Sequence, residues 1–137
     1  MNKLRWWFRV IGTFYLLLTA MNLFNLFFTN GQMFSDTLPA PFGSDASAIR
    51  TFTDAWMVFV FELGVLGAMS WVASRDPMKN QIMAWVIIWA EVFRGIVADA
   101  IWITRGYAVS SYAVFIVIHI IIIVTGFLFI RQMQAEQ

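Results

Sequence analysis

Four long apolar stretches dominate the chain, at residues 10–28, 52–73, 82–103 and 107–130. Each has about the 20 residues that a helix needs to cross a bilayer core about 30 Å thick. The last stretch contains runs of β-branched residues, but backbone groups inside a bilayer must bond to one another, which favours a helix. The pattern therefore predicts an all-α integral membrane protein, an antiparallel up-down bundle of four transmembrane helices.

The connectors between these stretches differ in length. Residues 29–51 form the only long connector, predicted to be an outer loop, and its glycines and prolines are typical of irregular structure. Ser44 or Asp45 is a candidate to cap an early start of the second helix. Residues 104–106 form a very short turn, which makes the third and fourth helices an antiparallel hairpin.

The basic residues predict the orientation of the bundle, because cytoplasmic segments are enriched in lysine and arginine. With the N-terminus inside, most of them fall on the cytoplasmic side: Lys3, Arg5, Arg9, Arg75, Lys79 and Arg131. Only Arg50 and Arg105 fall outside. We therefore predict that both termini are cytoplasmic and that residues 1–137 form a single membrane domain.

Composition agrees with a membrane protein and excludes several other classes. Hydrophobic residues make up 61% of the chain and charged residues 12%, against about half and about a quarter in soluble domains. The absence of cysteine excludes disulfides, thiolate metal sites and covalent c-type haem. A net charge of +1 gives no support to a nucleic-acid surface. The predicted partner is the lipid bilayer, with no nucleic acid.

Four ionisable side chains stand near the middle of the predicted helices: Glu62, Glu91, Arg94 and His119. A charge at that depth costs about 2.5–3.5 kcal/mol on insertion scales, so such groups face the bundle and find partners. Glu91 and Arg94 are three residues apart and can pair within one helix. We expect Arg94 to pair with Glu91 or Glu62, and His119 to reach the same network.

The third helix has one polar or small face, which holds Glu91, Arg94, Gly95, Ala98, Asp99 and Trp102. Asp99, and Asn22 on the first helix, lie between the midplane and the outer surface, so the polar interior is expected to open outward. Gly95 and Ala98 are expected to leave space beside Arg94. The predicted ligand-binding residues are Glu62, Glu91, Arg94, Asp99, His119 and Asn22.

The midplane charges leave several interpretations open. Glu62, Glu91 and Arg94 sum to one negative charge, so one proton must be held by His119 or by a carboxylate. Such a set suits proton transfer, cation binding or a static polar clamp without a ligand. Glu62, Glu91 and His119 have suitable atoms for a metal but no local spacing, and the chain has no second axial histidine for haem. We predict neither a metal nor a cofactor.

The opening of the chain also carries a family resemblance. Residues 4–18, LRWWFRVIGTFYLLL, followed by Met21 and Asn22, resemble the start of the BphX-like bacterial membrane proteins. Size and four-helix layout are similar too, and both resemble the wider DoxX-type group. The resemblance implies a small multi-pass protein of the bacterial inner (cytoplasmic) membrane. The BphX name comes from an association with aromatic-hydrocarbon degradation, but the resemblance implies no settled activity and assigns no functional residue.

Three functions are compatible with this sequence. The first is binding or handling of a small hydrophobic molecule that enters from the outer side, since apolar pockets with a few polar groups are typical ligand sites. The second is an accessory subunit of a larger membrane complex, such as an oxidoreductase, or a homo-oligomer. The third is an acid–base enzyme acting on a lipid-like substrate. A non-protein molecule inside the bundle favours the first or third, and co-purifying subunits favour the second.

Overall fold

The computed structural model describes residues 3–29 and 31–135, and its regular structure is entirely helical within those ranges. The helices are α1 Lys3–Phe28, α2 Ala46–Ala73, α3 Gln81–Ala90, α4 Ala98–Thr104 and α5 Val109–Ala135. A π-helical segment, Glu91–Val97, joins α3 to α4. The predicted domain 1–137 and loop 29–51 include residues 1, 2, 30, 136 and 137, which lie outside the described residues.

Helices α1, α2 and α5 are long and apolar enough to cross a membrane, which confirms the all-α membrane class. The predicted third span, 82–103, corresponds to α3, the π-helical segment and α4, which follow one another without a loop. Helix α1 begins before its predicted span, and α5 ends after its own. The apolar pattern therefore located the helices, whereas α1 and α2 begin before their apolar stretches and α5 ends after its own.

The long connector is shorter than predicted because α2 begins early. The Asp45 carboxylate accepts hydrogen bonds from the backbone N–H of Ser47 at 2.8 Å and of Ala48 at 3.3 Å. This is the N-cap arrangement that satisfies the free N–H groups of a first helical turn. The connector itself contains two short 3₁₀ turns, Gln32–Phe34 and Phe42–Ser44.

Helix α2 packs mainly on α1, and small residues allow the close approach. A Cβ atom added to Gly12 would lie 2.8 Å from the carbonyl oxygen of Gly67, and one added to Gly64 would lie 3.1 Å from Thr19 Cγ2. These glycines fix which face of α2 meets α1.

The apolar core occupies one end of the bundle. It is formed mainly by the first half of α1, by α3 and by the second half of α5, with Leu63 and Ala73 from α2, and includes Leu4, Trp7, Phe8, Ile11, Ile87, Ile122 and Ile130. Trp7 also donates a hydrogen bond from Nε1 to Thr125 Oγ1 at 3.0 Å. We call this region the packed end. The other end of the bundle contains the candidate site.

Candidate functional site

Glu91 is the centre of a buried polar cluster, and the residue is only 1% exposed. Tyr15 donates its hydroxyl hydrogen bond to Glu91 Oε1, and Arg94 Nη2 lies 3.5 Å from the same oxygen. His119 Nδ1 lies 2.5 Å from the other oxygen, Oε2. Donors from α1, from the π-helical segment and from α5 thus surround one carboxylate, as a buried charge requires. The expected pairing of Glu91 with Arg94 is confirmed, as is the proximity of His119.

His119 links Glu91 to a second carboxylate. Its Nε2 lies 3.4 Å from Asp99 Oδ2, and Asp99 is 5% exposed. Tyr15, Glu91, His119 and Asp99 therefore form one continuous row, which we call the polar row. An imidazole between two carboxylates can hold a proton and share it with either neighbour. The row connects the middle of the bundle to the end opposite the packed end.

Gly95 makes the position of His119 possible. A Cβ atom added to Gly95 would lie 2.5 Å from His119 Cγ, which is closer than packed atoms tolerate. The expectation that Gly95 leaves open space beside Arg94 is therefore wrong, because the imidazole ring occupies that space. Gly95 also lies in the π-helical segment, and such segments are frequent at functional sites.

Arg94 lies between aromatic rings and a cavity. Its guanidinium carbon is 5.6 Å from the ring centroid of Tyr15 and 5.1 Å from that of Phe59, within the range of cation–π attraction. Its Nη1 atom is buried and has no hydrogen-bond partner among residues 3–29 and 31–135. The charge of Arg94 is therefore stabilised, but one of its donors is unused.

A cavity of about 440 Å³ adjoins the polar row. Ala98 lines it beside Arg94, as expected, and the connector between α1 and α2 contributes Phe34 and Thr37. Most of the wall is aromatic or aliphatic: Phe14, Leu18, Met21, Phe34, Phe52, Trp56, Phe59, Leu63, Trp102, Tyr112 and Phe115. The polar residues of the wall include Tyr15, Glu91, Arg94, Asp99 and His119. The cavity is therefore mostly apolar, with a few polar groups.

Asn22 also lines the cavity, but its amide already has partners. Its Nδ2 donates to the Leu18 carbonyl oxygen at 2.8 Å, and its Oδ1 accepts from Trp56 Nε1 at 2.9 Å. Asn22 therefore holds Trp56 of α2 in place on the cavity wall. This contact joins α1 to α2 on the side of the cavity.

Glu62 does not join the polar row, and the expectation that it faces the bundle is wrong. The α2 side chains that line the cavity are Trp56, Phe59 and Leu63, while Glu62 lies outside that face and is exposed. In the part of the chain that the structure describes, no hydrogen bond or ion pair is formed by Glu62. The physical reason is the rotation of α2, which Gly64 and Gly67 set by packing on α1.

Several site residues escaped the sequence reasoning. Tyr15 was not expected as the partner of Glu91, and the only signal is that it shares a helical stripe with Asn22, seven residues on. Phe34 and Phe59 carried no signal, since connector folding and helix rotation decide where they lie. Among the described residues, no three histidine, aspartate or glutamate side chains are placed to hold a metal ion.

Comparison with known families identifies the family of this chain. The family model described as BphX-like matches residues 1–135. The chain belongs to the BphX-like family. Its family and its apolar helices make this BphX-like protein a small membrane protein. No match was found among curated proteins or among solved structures.

Proposed function

We propose that this BphX-like protein binds a small, mostly apolar molecule in the cavity beside Arg94. The observation that supports this most is the cavity itself, whose volume of about 440 Å³ lies in the usual range for small-molecule sites, roughly 300–1,000 Å³. A structural clamp alone needs no such space, since a packed core leaves few voids larger than a water molecule.

The chemistry of the wall supports the same function. The apolar body of a ligand would contact Phe14, Trp102 and Phe115, and its polar group would meet Arg94 and Asp99. Phe34 and Thr37 of the connector line the cavity, so the connector covers part of it. In this proposal the connector is the segment that a ligand must pass.

We further propose four membrane spans in a bacterial inner membrane, with both termini cytoplasmic and the connector outside. The distribution of basic residues supports this orientation. Cysteines introduced at Ser35 and at Gln134 provide the test in intact cells. We expect an impermeant thiol reagent to label the Ser35→Cys variant only, and labelling of Gln134→Cys alone would reverse the orientation.

Binding can be tested with an apolar probe, 1-butyl-4-fluorobenzene, followed by ¹⁹F NMR with the protein in lipid nanodiscs. We expect a second, protein-bound signal that is absent from empty nanodiscs. Ala98→Trp fills the cavity and should abolish that signal. Ala100→Trp is the matched control, because Ala100 is on the same helix but is exposed. A bound signal that survives in Ala98→Trp would contradict the proposal.

A second candidate function, membership of a larger membrane assembly, is favoured by Glu62. A carboxylate in the middle of an apolar helix is expensive when it faces lipid, and its exposure is best explained by a hydrogen-bond donor from another membrane-spanning chain. Native mass spectrometry of wild type and Glu62→Leu tests this. We expect a particle larger than one chain that Glu62→Leu reduces and the neighbouring exposed control Val58→Leu does not. A wild-type particle that contains a single chain would exclude this second function.

A further inference from the structure

Two buried polar atoms of the cavity wall have no hydrogen-bond partner among the described residues. One is a donor, Arg94 Nη1, and the other is an acceptor, Asp99 Oδ2. Among the described residues, the charged contact of Asp99 Oδ2 is with His119 Nε2, at 3.4 Å, and a carboxylate oxygen has a second lone pair that can accept from a ligand. A buried polar group without a hydrogen bond is unfavourable, because the hydration that it lost on burial is not replaced. A ligand group that accepts from Arg94 and donates to Asp99 satisfies both residues at once.

The charges of the cluster require that this ligand group is neutral. Each nitrogen of His119 faces a carboxylate oxygen, of Glu91 or of Asp99. Because a carboxylate ion has no hydrogen to donate, the set of two carboxylates and one imidazole holds an additional proton. Its total charge is then −1, wherever that proton lies, and Arg94 brings the cluster to zero. An anionic ligand would leave an unpaired charge in a low-dielectric site, which is costly.

The aromatic composition of the remaining wall favours a ligand with an aromatic ring. Aromatic side chains from five different parts of the chain line the cavity, including Phe14, Phe34, Phe59 and Phe115. Trp56 and Trp102 contribute two further rings, with centroids 5.9 Å apart. Aromatic groups pack on one another in offset or edge-to-face arrangements, which adds to the free energy of burial.

We propose that the ligand is a neutral aromatic molecule with a hydroxyl group, of the phenol type. The hydroxyl is the smallest neutral group that both donates and accepts a hydrogen bond. It donates to the Asp99 carboxylate and accepts from the Arg94 guanidinium, while the ring and any apolar substituent lie among the aromatic side chains. This inference rests on the proposed function, because it names the class of molecule that the same cavity binds.

Four matched probes separate the contributions: 4-butylphenol, 4-butylanisole, butylbenzene and 4-butylbenzoate. Dissociation constants are measured by the quenching of tryptophan fluorescence in lipid nanodiscs, with partition into empty nanodiscs subtracted. The anisole keeps the acceptor and loses the donor, butylbenzene loses both, and the benzoate adds a charge. We expect 4-butylphenol to bind about tenfold more tightly than 4-butylanisole, and the benzoate to bind more weakly than the phenol.

The variant Asp99→Asn tests the assigned acceptor. It removes one negative charge, so we expect the preference for phenol over anisole to fall severalfold and the affinity for benzoate to rise. Asp54→Asn is the control, because it makes the same chemical change at an exposed residue of α2 that does not line this cavity. Circular dichroism checks that the variant is folded, and the four probes on the wild type give an independent result if it is not.

The outcomes distinguish this inference from the proposed function. Equal binding of phenol, anisole and butylbenzene would overturn the hydroxyl assignment and leave a general apolar site. Tightest binding of the benzoate would overturn the requirement for a neutral ligand. Binding of none of the probes, together with the absence of a bound ¹⁹F signal, would overturn both.

Discussion

Glu91 and Glu62 are carboxylates in the middle of two apolar helical stretches, yet their surroundings are opposite. Glu91 is 1% exposed and is contacted by Tyr15, His119 and Arg94. Glu62 is exposed, and no described residue forms a hydrogen bond or an ion pair with it. The cost of a charge inside a membrane establishes that a partner is needed. It does not establish that the partner belongs to the same helix bundle.

Helix packing explains the difference between the two glutamates. Gly64 and Gly67 bring α2 onto α1 and so fix its rotation, which leaves Glu62 outside the cavity-lining face. Gly95 lies one turn after Glu91 and admits the ring of His119. Small residues next to a carboxylate therefore decide whether it meets partners, because they determine which helix face approaches a neighbour.

The largest expected effect is that of Glu91→Leu. Loss of the carboxylate leaves Arg94 and His119 without their shared counter-charge, and Tyr15 without its acceptor. Removal of one member of a buried ion pair costs about 3–5 kcal/mol, so we expect a large fall in the midpoint of thermal unfolding in detergent. An unfolding midpoint within a few degrees of the wild type would show that the partners of Glu91 do not stabilise the fold, and the two glutamates would then not differ.

The double variant Glu91→Leu with Arg94→Leu sharpens the same comparison. Because both charges of the pair are then absent, it should be more stable than the sum of the two single losses implies. Additive losses would show that the two side chains do not interact.

A smaller effect is expected for Gly95→Ala. The added Cβ meets the imidazole ring of His119, and overpacking of this kind typically costs about 1–3 kcal/mol. We expect a lower unfolding midpoint and weaker binding of the fluorinated probe. Gly64→Ala is the comparison, since its Cβ would meet the side chain of Thr19, with Cγ2 at 3.1 Å and Oγ1 at 3.5 Å, and none of its nearest contacts is with His119. Equal effects of both variants would argue against a special role of the position next to His119.

The smallest effect is expected for Glu62→Leu. The side chain has no partner among the described residues, so its replacement by an apolar group should leave the unfolding midpoint of the single chain unchanged or slightly raised. The measurement is the same thermal unfolding series. A loss comparable to that of Glu91→Leu would mean that Glu62 has an internal partner, and the two glutamates would then be equivalent.

The sequence was informative where one stretch of chain decides the outcome. The apolar stretches located the helices, a cap at Ser44 or Asp45 predicted the early start of α2, and the spacing of Glu91 and Arg94 predicted their pairing. The positions of Glu91 and His119 near the middle of their helices predicted that they approach each other. The contact of Glu91 with Tyr15 joins residues far apart in the chain, and no local pattern specifies it. The orientation of Glu62 depends on the rotation of the whole of α2, and the depth of a residue along its helix does not determine that rotation.

The packed end has a consequence for the mechanics of the bundle. Tightly interlocked side chains such as Leu4, Phe8, Ile87 and Ile130, each no more than 1% exposed, join three helices into a stiff base, because close-packed interiors have low compressibility. Helix bending is therefore expected mainly at the opposite end, where the cavity lies. The size of the molecule that the cavity admits is then limited by how far the helices and the connector can separate at that end.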